Sequence, residues 1–121
     1  DWVEVDRRRG HHRHGWREFF AEFDAVVCPI TPTPAFPHEH DPDLLERRID
    51  VGGSEYPYFD QLVWAGLATM PGLPATAIPA GRSSAGLPVG VQLVGPMFED
   101  RTTVRLAELL EPAIGGFCTP T

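Results

Sequence analysis

The sequence predicts an α/β fold with its elements in the order α-β-loop-α-β-β-α, and three observations carry that prediction. Aromatic residues recur at helical spacing at Trp16, Phe19, Phe20 and Phe23. Short runs rich in β-branched residues occupy positions 25–28, 75–79 and 88–94. Proline and glycine mark the boundaries between these segments. Three strands leave at least one sheet edge open, and two of them read as buried on both faces. The sequence therefore describes one sector of a layered α/β structure, an incomplete domain rather than a closed one.

Residues 1–14 are charged and are expected to be poorly ordered. A helix is expected from about residue 15 to residue 23, reaching back towards Arg7 if Gly10 is tolerated. Its aromatic stripe reads as core packing. The run 25–28 suits a strand buried on both faces. Pro29, Pro32, Pro34 and Pro37 then forbid regular structure. Positions 31–56 read as one long loop, with a helical turn near 43–47. A loop of that length usually covers a site or a partner surface.

Pro57 suits the first turn of a second helix, which should stop before Pro71. The strands at 75–79 and 88–94 flank the short polar stretch 81–86, a connection that fits an antiparallel hairpin. Asp100 is placed as the N-cap of a last helix, with Val104, Ala107 and Leu110 on its buried face and Leu106 beside them. Pro112 and Gly115-Gly116 should end it.

Composition narrows the function classes. The chain has 121 residues, enough for one domain with a core and too few for two. With 10 basic and 17 acidic residues the net charge is -7, which argues against nucleic acid and anionic membrane surfaces as partners. No apolar run approaches the length needed to span a bilayer. The first residue is Asp1 and no signal-peptide core follows, so either a removed leader or a longer parent chain is expected. Cys28 and Cys118 read as two free thiols in a reducing cytoplasm, with a single disulfide as the alternative.

Several polar sets are candidates for chemistry. His11, His12 and His14, with Glu18 one turn on, have the spacing of a metal site, but a solvated helix start is the better explanation. His38, Glu39, His40 and Asp41 form a second cluster, read as turn chemistry. Ser54 with a His and an Asp makes a hydrolytic triad only on paper, because a triad is a matter of geometry. No metal or cofactor is expected.

Several ordered segments resemble one family. The aromatic helix leading into Phe23-Asp24-Ala25-Val26-Val27-Cys28-Pro29 and Thr31-Pro32-Thr33-Pro34-Ala35 is similar to a segment of the amidase signature enzymes. So are the helix from Tyr58 to Trp64, the wording Leu73-Pro74-Ala75-Thr76-Ala77-Ile78-Pro79-Ala80-Gly81, and the wording Gly86-Leu87-Pro88-Val89-Gly90-Val91-Gln92. The match is collinear from about residue 16 to residue 118 and resembles the family's C-terminal portion.

The resemblance implies a mixed sheet wrapped by helices and an enzyme that hydrolyses a carboxylic amide, or transfers its nitrogen in relatives that work on aminoacyl-tRNA. The implied partners are a small-molecule amide and the N-terminal part of the amidase domain. The family's mechanism uses a nucleophilic Ser, a second Ser on a cis peptide bond and a proton-relaying Lys, with backbone donors for the oxyanion. This chain has no lysine, since all 10 basic residues are Arg. Arginine does not give up its proton near neutral pH and cannot replace it. The Gly/Ser-rich catalytic stretch is absent too, and Ser83 and Ser84 read as hairpin-loop residues. No catalytic position carries over. Tyr56, Tyr58 and Trp64 remain as candidates for a pocket wall, because family pockets are lined by aromatic and apolar groups near this helix. The alternative expectation is a stand-alone, non-catalytic interaction module.

Overall fold

A computed structural model describes residues 1–117 and 119. The elements are α1 (Trp2–Phe19), β1 (Val26–Pro29), β2 (Arg48–Val51), β3 (Ser54–Pro57), a 3-10 turn (Tyr58–Leu62), α2 (Val63–Thr69), β4 (Ala75–Arg82), β5 (Pro88–Val94) and α3 (Asp100–Ile114). Strands β1, β5 and β4 form one sheet in that order, and every pairing in it is antiparallel. The α/β architecture is the one the sequence predicts.

The N-terminal stretch departs from expectation. Residues 1–14 are charged, but from Trp2 onward they are helical. The Asp1 carboxylate caps the helix by accepting from the Val3 backbone N–H at 3.2 Å. Glu4 pairs along the surface with Arg7 at 2.8 Å and Arg8 at 3.2 Å. Such exposed pairs contribute little each, but they sit at the spacing that supports a helix through Gly10 and Gly15. Two arginines then tie α1 to the end of α2. Arg9 Nε donates to the Met70 carbonyl at 2.8 Å and Arg13 Nε to the Pro71 carbonyl at 2.7 Å. These carbonyls follow the last turn of α2, where cations are favoured.

Helices α1 and α2 cover one face of the sheet. The buried cluster is Cys28, Ala68, Leu73 and Val94, with Trp16, Phe20, Val26, Trp64, Leu67 and Met97 packed round it. The aromatic stripe is therefore divided. Trp16 and Phe20 stack at 5.5 Å and close the core, whereas Phe19 and Phe23 stack at 4.7 Å with much of their surface exposed.

Helix α3 covers the opposite face at β4. Thr103, 1% exposed, shares a hydrogen bond with Thr76 through their Oγ atoms at 2.8 Å and donates to the Asp100 carbonyl. This contact turns Thr103 inward, with Leu106, Ala107 and Leu110 half-buried and Val104 left exposed. The predicted buried face is thus offset at Val104. Asp100 is the first helical residue rather than the cap, and Pro112 lies within the last turn. The helix ends at Gly115, whose φ of 87° reverses the chain where a side chain would be strained.

Two further corrections concern the strands. β1 is not buried on both faces: Cys28 is covered, but Val27 is 56% exposed, because α3 lies over β4 and β5 and not over β1. The long loop holds a hairpin, β2–β3, that alternation does not reveal. Gly52 and Gly53, at φ 63° and 87°, form its two-residue turn, the conformation such hairpins favour. The strand residues Arg48, Asp50, Ser54 and Glu55 are polar, and this hides the periodicity. Only the turn at Asp43–Glu46, closed by the Glu46 N–H on the Asp43 carbonyl, lies where one is expected.

Candidate functional site

Two clefts flank α1. One, of about 690 Å³, lies between α1 and the β5–α3 connection, with Arg13, Arg17 and His14 at its rim and Phe20, Leu73 and Met97 along its floor. The other, of about 730 Å³, is an open apolar groove between α1, α2 and β1, lined by Trp16, Phe19, Val26, Val63, Leu67 and Met70.

Tyr56, Tyr58 and Trp64 line neither cleft. Tyr56 stands on β3 opposite the buried Ile49 and remains 44% exposed. Tyr58 meets Phe36 edge to face at 6.1 Å, with the Arg47 guanidinium 5.9 Å above its ring. Trp64 packs against the buried cluster of the sheet. Tyr56 and Tyr58 thus belong to the hairpin and the turn that follows it, and Trp64 to the core. The structure does not gather the three around one space.

The polar sets singled out in the sequence lie at exposed positions on α1, in the loop before β2 and at the start of β3. His14 Nε2 lies 3.3 Å from Glu18 Oε1, and its Nδ1 faces Arg17 Nη2 at 3.0 Å, so both ring nitrogens are engaged on the helix surface. His38 and His40 have ring centroids 5.9 Å apart. Among the described residues no three His, Cys, Asp or Glu side chains converge as a metal site would need. Ser54 is exposed at the start of β3. Ser83 closes the β4–β5 hairpin: its N–H donates to the Leu87 carbonyl at 2.8 Å and its Oγ accepts from the Leu87 N–H at 3.2 Å.

The internal polar group that organises this face is Gln92, which the sequence marks only as an alternating strand residue. Its Nε2 donates to the Pro29 carbonyl at 3.0 Å and to the Trp64 carbonyl at 2.9 Å, bridging β5, β1 and α2. Cys28 lies against it. Burial pushes the Cys28 thiol pKa up, and the hydrogen bond with Gln92 pulls partly the other way. The thiol is therefore protonated at neutral pH and a poor nucleophile. Cys118 lies outside the described residues. The arrangement braces a sheet and presents apolar surface.

Residues 2–104 match the family described as Amidase. The A subunit of glutamyl-tRNA(Gln) amidotransferase from Xanthobacter autotrophicus is 35% identical over 117 residues, covering 96% of this chain and 22% of that protein. Its counterpart from an Exiguobacterium species is 35% identical over 108 residues, covering 89% and 20%. The solved structure of the Thermotoga maritima counterpart superposes with a TM-score of 0.70 at 29% identity, over 89% of this chain and 22% of that one. A chain from a vestigial protein complex, reported to reveal the origins of an s-triazine catabolic enzyme, gives 0.75 at 23% identity over 93% of this chain and 24% of that one, a likeness of fold. The chain spans about a fifth of the length of these curated relatives.

Proposed function

Since this chain belongs to the Amidase family, we propose that it is the C-terminal, non-catalytic segment of an amidase signature enzyme of the cytoplasm, whose remaining part carries the Ser-Ser-Lys machinery. In that enzyme it supplies sheet strands, covering helices and part of the wall around a small carboxylic amide. Tyr56, Tyr58 and Trp64 are its candidate wall residues. Their aromatic faces suit an apolar acyl group, and Tyr56 and Tyr58 retain exposed surface for contact.

One observation carries this reading: a fold shared with the family is joined to a sequence without lysine. Proton relay between the family's two serines needs a group that exchanges a proton near neutral pH. Arginine does not, and neither does a buried, protonated thiol.

A second reading is favoured by the relatives. The glutamyl-tRNA(Gln) amidotransferase protein recurs among them, so the parent enzyme would transfer amide nitrogen onto glutamyl-tRNA(Gln) rather than release it to water. The chain's acidic balance supports a version of this reading in which other parts of the enzyme contact the RNA. Dependence on a second protein component separates the two readings.

Two experiments test the proposal. The purified chain should not hydrolyse a simple aryl amide; hydrolysis abolished by Ser54→Ala would overturn it. In source cells, an antibody to this segment should detect a product several times heavier than 13.4 kDa. A product of 13.4 kDa would instead support a stand-alone interaction module.

A further inference from the structure

Half of the ten arginines lie between positions 7 and 17, a stretch of α1 without an acidic residue in a chain of net charge -7. They are not used alike. Arg7 and Arg8 pair with Glu4, and Arg9 is engaged by the Met70 carbonyl. Arg13 and Arg17 stand at the rim of the cleft of about 690 Å³ between α1 and the β5–α3 connection. Among the described residues neither has a carboxylate oxygen within 4.0 Å.

Gly10, Arg13, His14 and Arg17 follow one another at i, i+3, i+4 and i+7, so they share one face of the helix and all four line this cleft. Both guanidinium groups are held in place. Arg13 Nε donates to the Pro71 carbonyl at 2.7 Å, and Arg17 Nη2 donates to His14 Nδ1 at 3.0 Å. Each keeps further N–H donors in the planar fork that suits a carboxylate. Gly10 leaves the face open, since a Cβ there would meet nothing within 4 Å. Below the rim the floor is apolar, with Leu73 buried and Phe20 and Met97 half-buried. Glu99 is the one acid of the described lining, and its Oε2 accepts from Thr102 Oγ1 at 3.0 Å. A mostly apolar cleft with a few oriented polar groups is the form that small-molecule sites take.

We propose that this cleft binds a small organic carboxylate with an apolar body. The carboxylate sits between Arg13 and Arg17, and the body lies on Phe20, Leu73 and Met97. The site is separate from Tyr56, Tyr58 and Trp64, none of which lines it, and it does not depend on the functional reading above. Two arginines against one glutamate favour an anion over an amine. The floor favours an organic anion over an inorganic one, because apolar surface gains nothing from a group that must keep its water.

The test titrates phenylbutyrate into the chain and into a chimera in which this chain replaces its matched segment in the Xanthobacter autotrophicus relative. Binding is read by calorimetry and, in the chain, by amide shifts, which should centre on residues 10–17 and 95–99. Arg17→Gln should weaken binding about tenfold with the melting temperature unchanged, since Arg17 bonds only to the exposed His14. Arg17→Lys should lose less, and Glu99→Gln should strengthen binding. Gly10→Leu raises helix propensity and meets no neighbour at its Cβ, so it should fill the mouth and abolish binding without loss of stability. Phenylbutanol, which lacks the charge, and inorganic phosphate, which lacks the body, should each bind at least about tenfold more weakly. Saturable binding with this pattern in either protein supports the site. No saturable binding by either at about 10 mM phenylbutyrate would overturn it, because a ligand of that size should occupy a real site there. Equal binding of phosphate, or indifference to both Arg17→Gln and Gly10→Leu, would overturn it as well, leaving only a basic helix surface.

Discussion

Gln92 Nε2 donates to the Trp64 backbone carbonyl at 2.9 Å, and this bond fastens the middle of the sheet to α2. Trp64 thus matters at two levels: its ring packs on the core and its carbonyl accepts a buried amide. The same amide nitrogen reaches the Pro29 carbonyl, so one side chain serves three elements.

Replacing Gln92 with Leu keeps roughly the volume but removes the donor for two carbonyls. Both bonds are part-buried and Pro29 is exposed, so water can replace part of the lost donor and the expected loss is about 1–2 kcal/mol in urea unfolding. A loss below about 0.5 kcal/mol would refute the bridge as a stabilising contact.

Gly95 is constrained by Thr103 rather than by its own backbone. A Cβ built on Gly95 would lie 2.6 Å from Thr103 Cγ2. Gly95→Ala should therefore destabilise by about 1–3 kcal/mol, the range for overpacking a filled site. Thr103→Ser removes the offending methyl but keeps the hydroxyl that meets Thr76 and Asp100. In a double-mutant cycle it should recover a substantial part of the loss. Simple additivity of the two changes would refute the contact as the cause.

Cys28 should resist alkylation at neutral pH in the folded chain and react on unfolding, since burial keeps its thiol protonated. Its raised pKa also has a sign in stability. The unfolded chain ionises first, near pH ~8.5, so the contribution is complete below that pH and declines as pH rises through the higher folded value. In a Cys118→Ser background, Cys28→Ser should flatten the alkaline fall of stability. An unchanged slope between about pH 8 and 10 would contradict the burial.

Much of the fold is legible in the sequence because local rules govern it. Pro71, Gly72 and Pro74 mark the end of α2, and alternation at Val89, Val91 and Leu93 marks β5; Pro57, expected in the first turn of that helix, instead ends β3, with a 3-10 turn before α2. The hairpin β2–β3 is not legible as strands, since its residues are mostly polar and only Gly52-Gly53 signals a turn. The extent of α1 is hidden because Gly10 and Gly15 weaken helix propensity. Its arginines recover that loss through contacts with Met70 and Pro71, some 60 positions away. The candidate wall residues are aromatics near a helix, and that criterion does not specify which surface they share.

By itself, the sequence determined the order of the three helices and of the three strands of the main sheet, the family and the absence of a lysine for proton relay. These depend on spacing along the chain and on residue chemistry. Only the tertiary structure decided that Val104 lies outside the buried face of α3, that Gln92 bridges three elements, and that β1 is covered at Cys28 but exposed at Val27. These depend on strand register and on where each helix lies over the sheet. Contacts between residues far apart in sequence set both, and no local pattern encodes them.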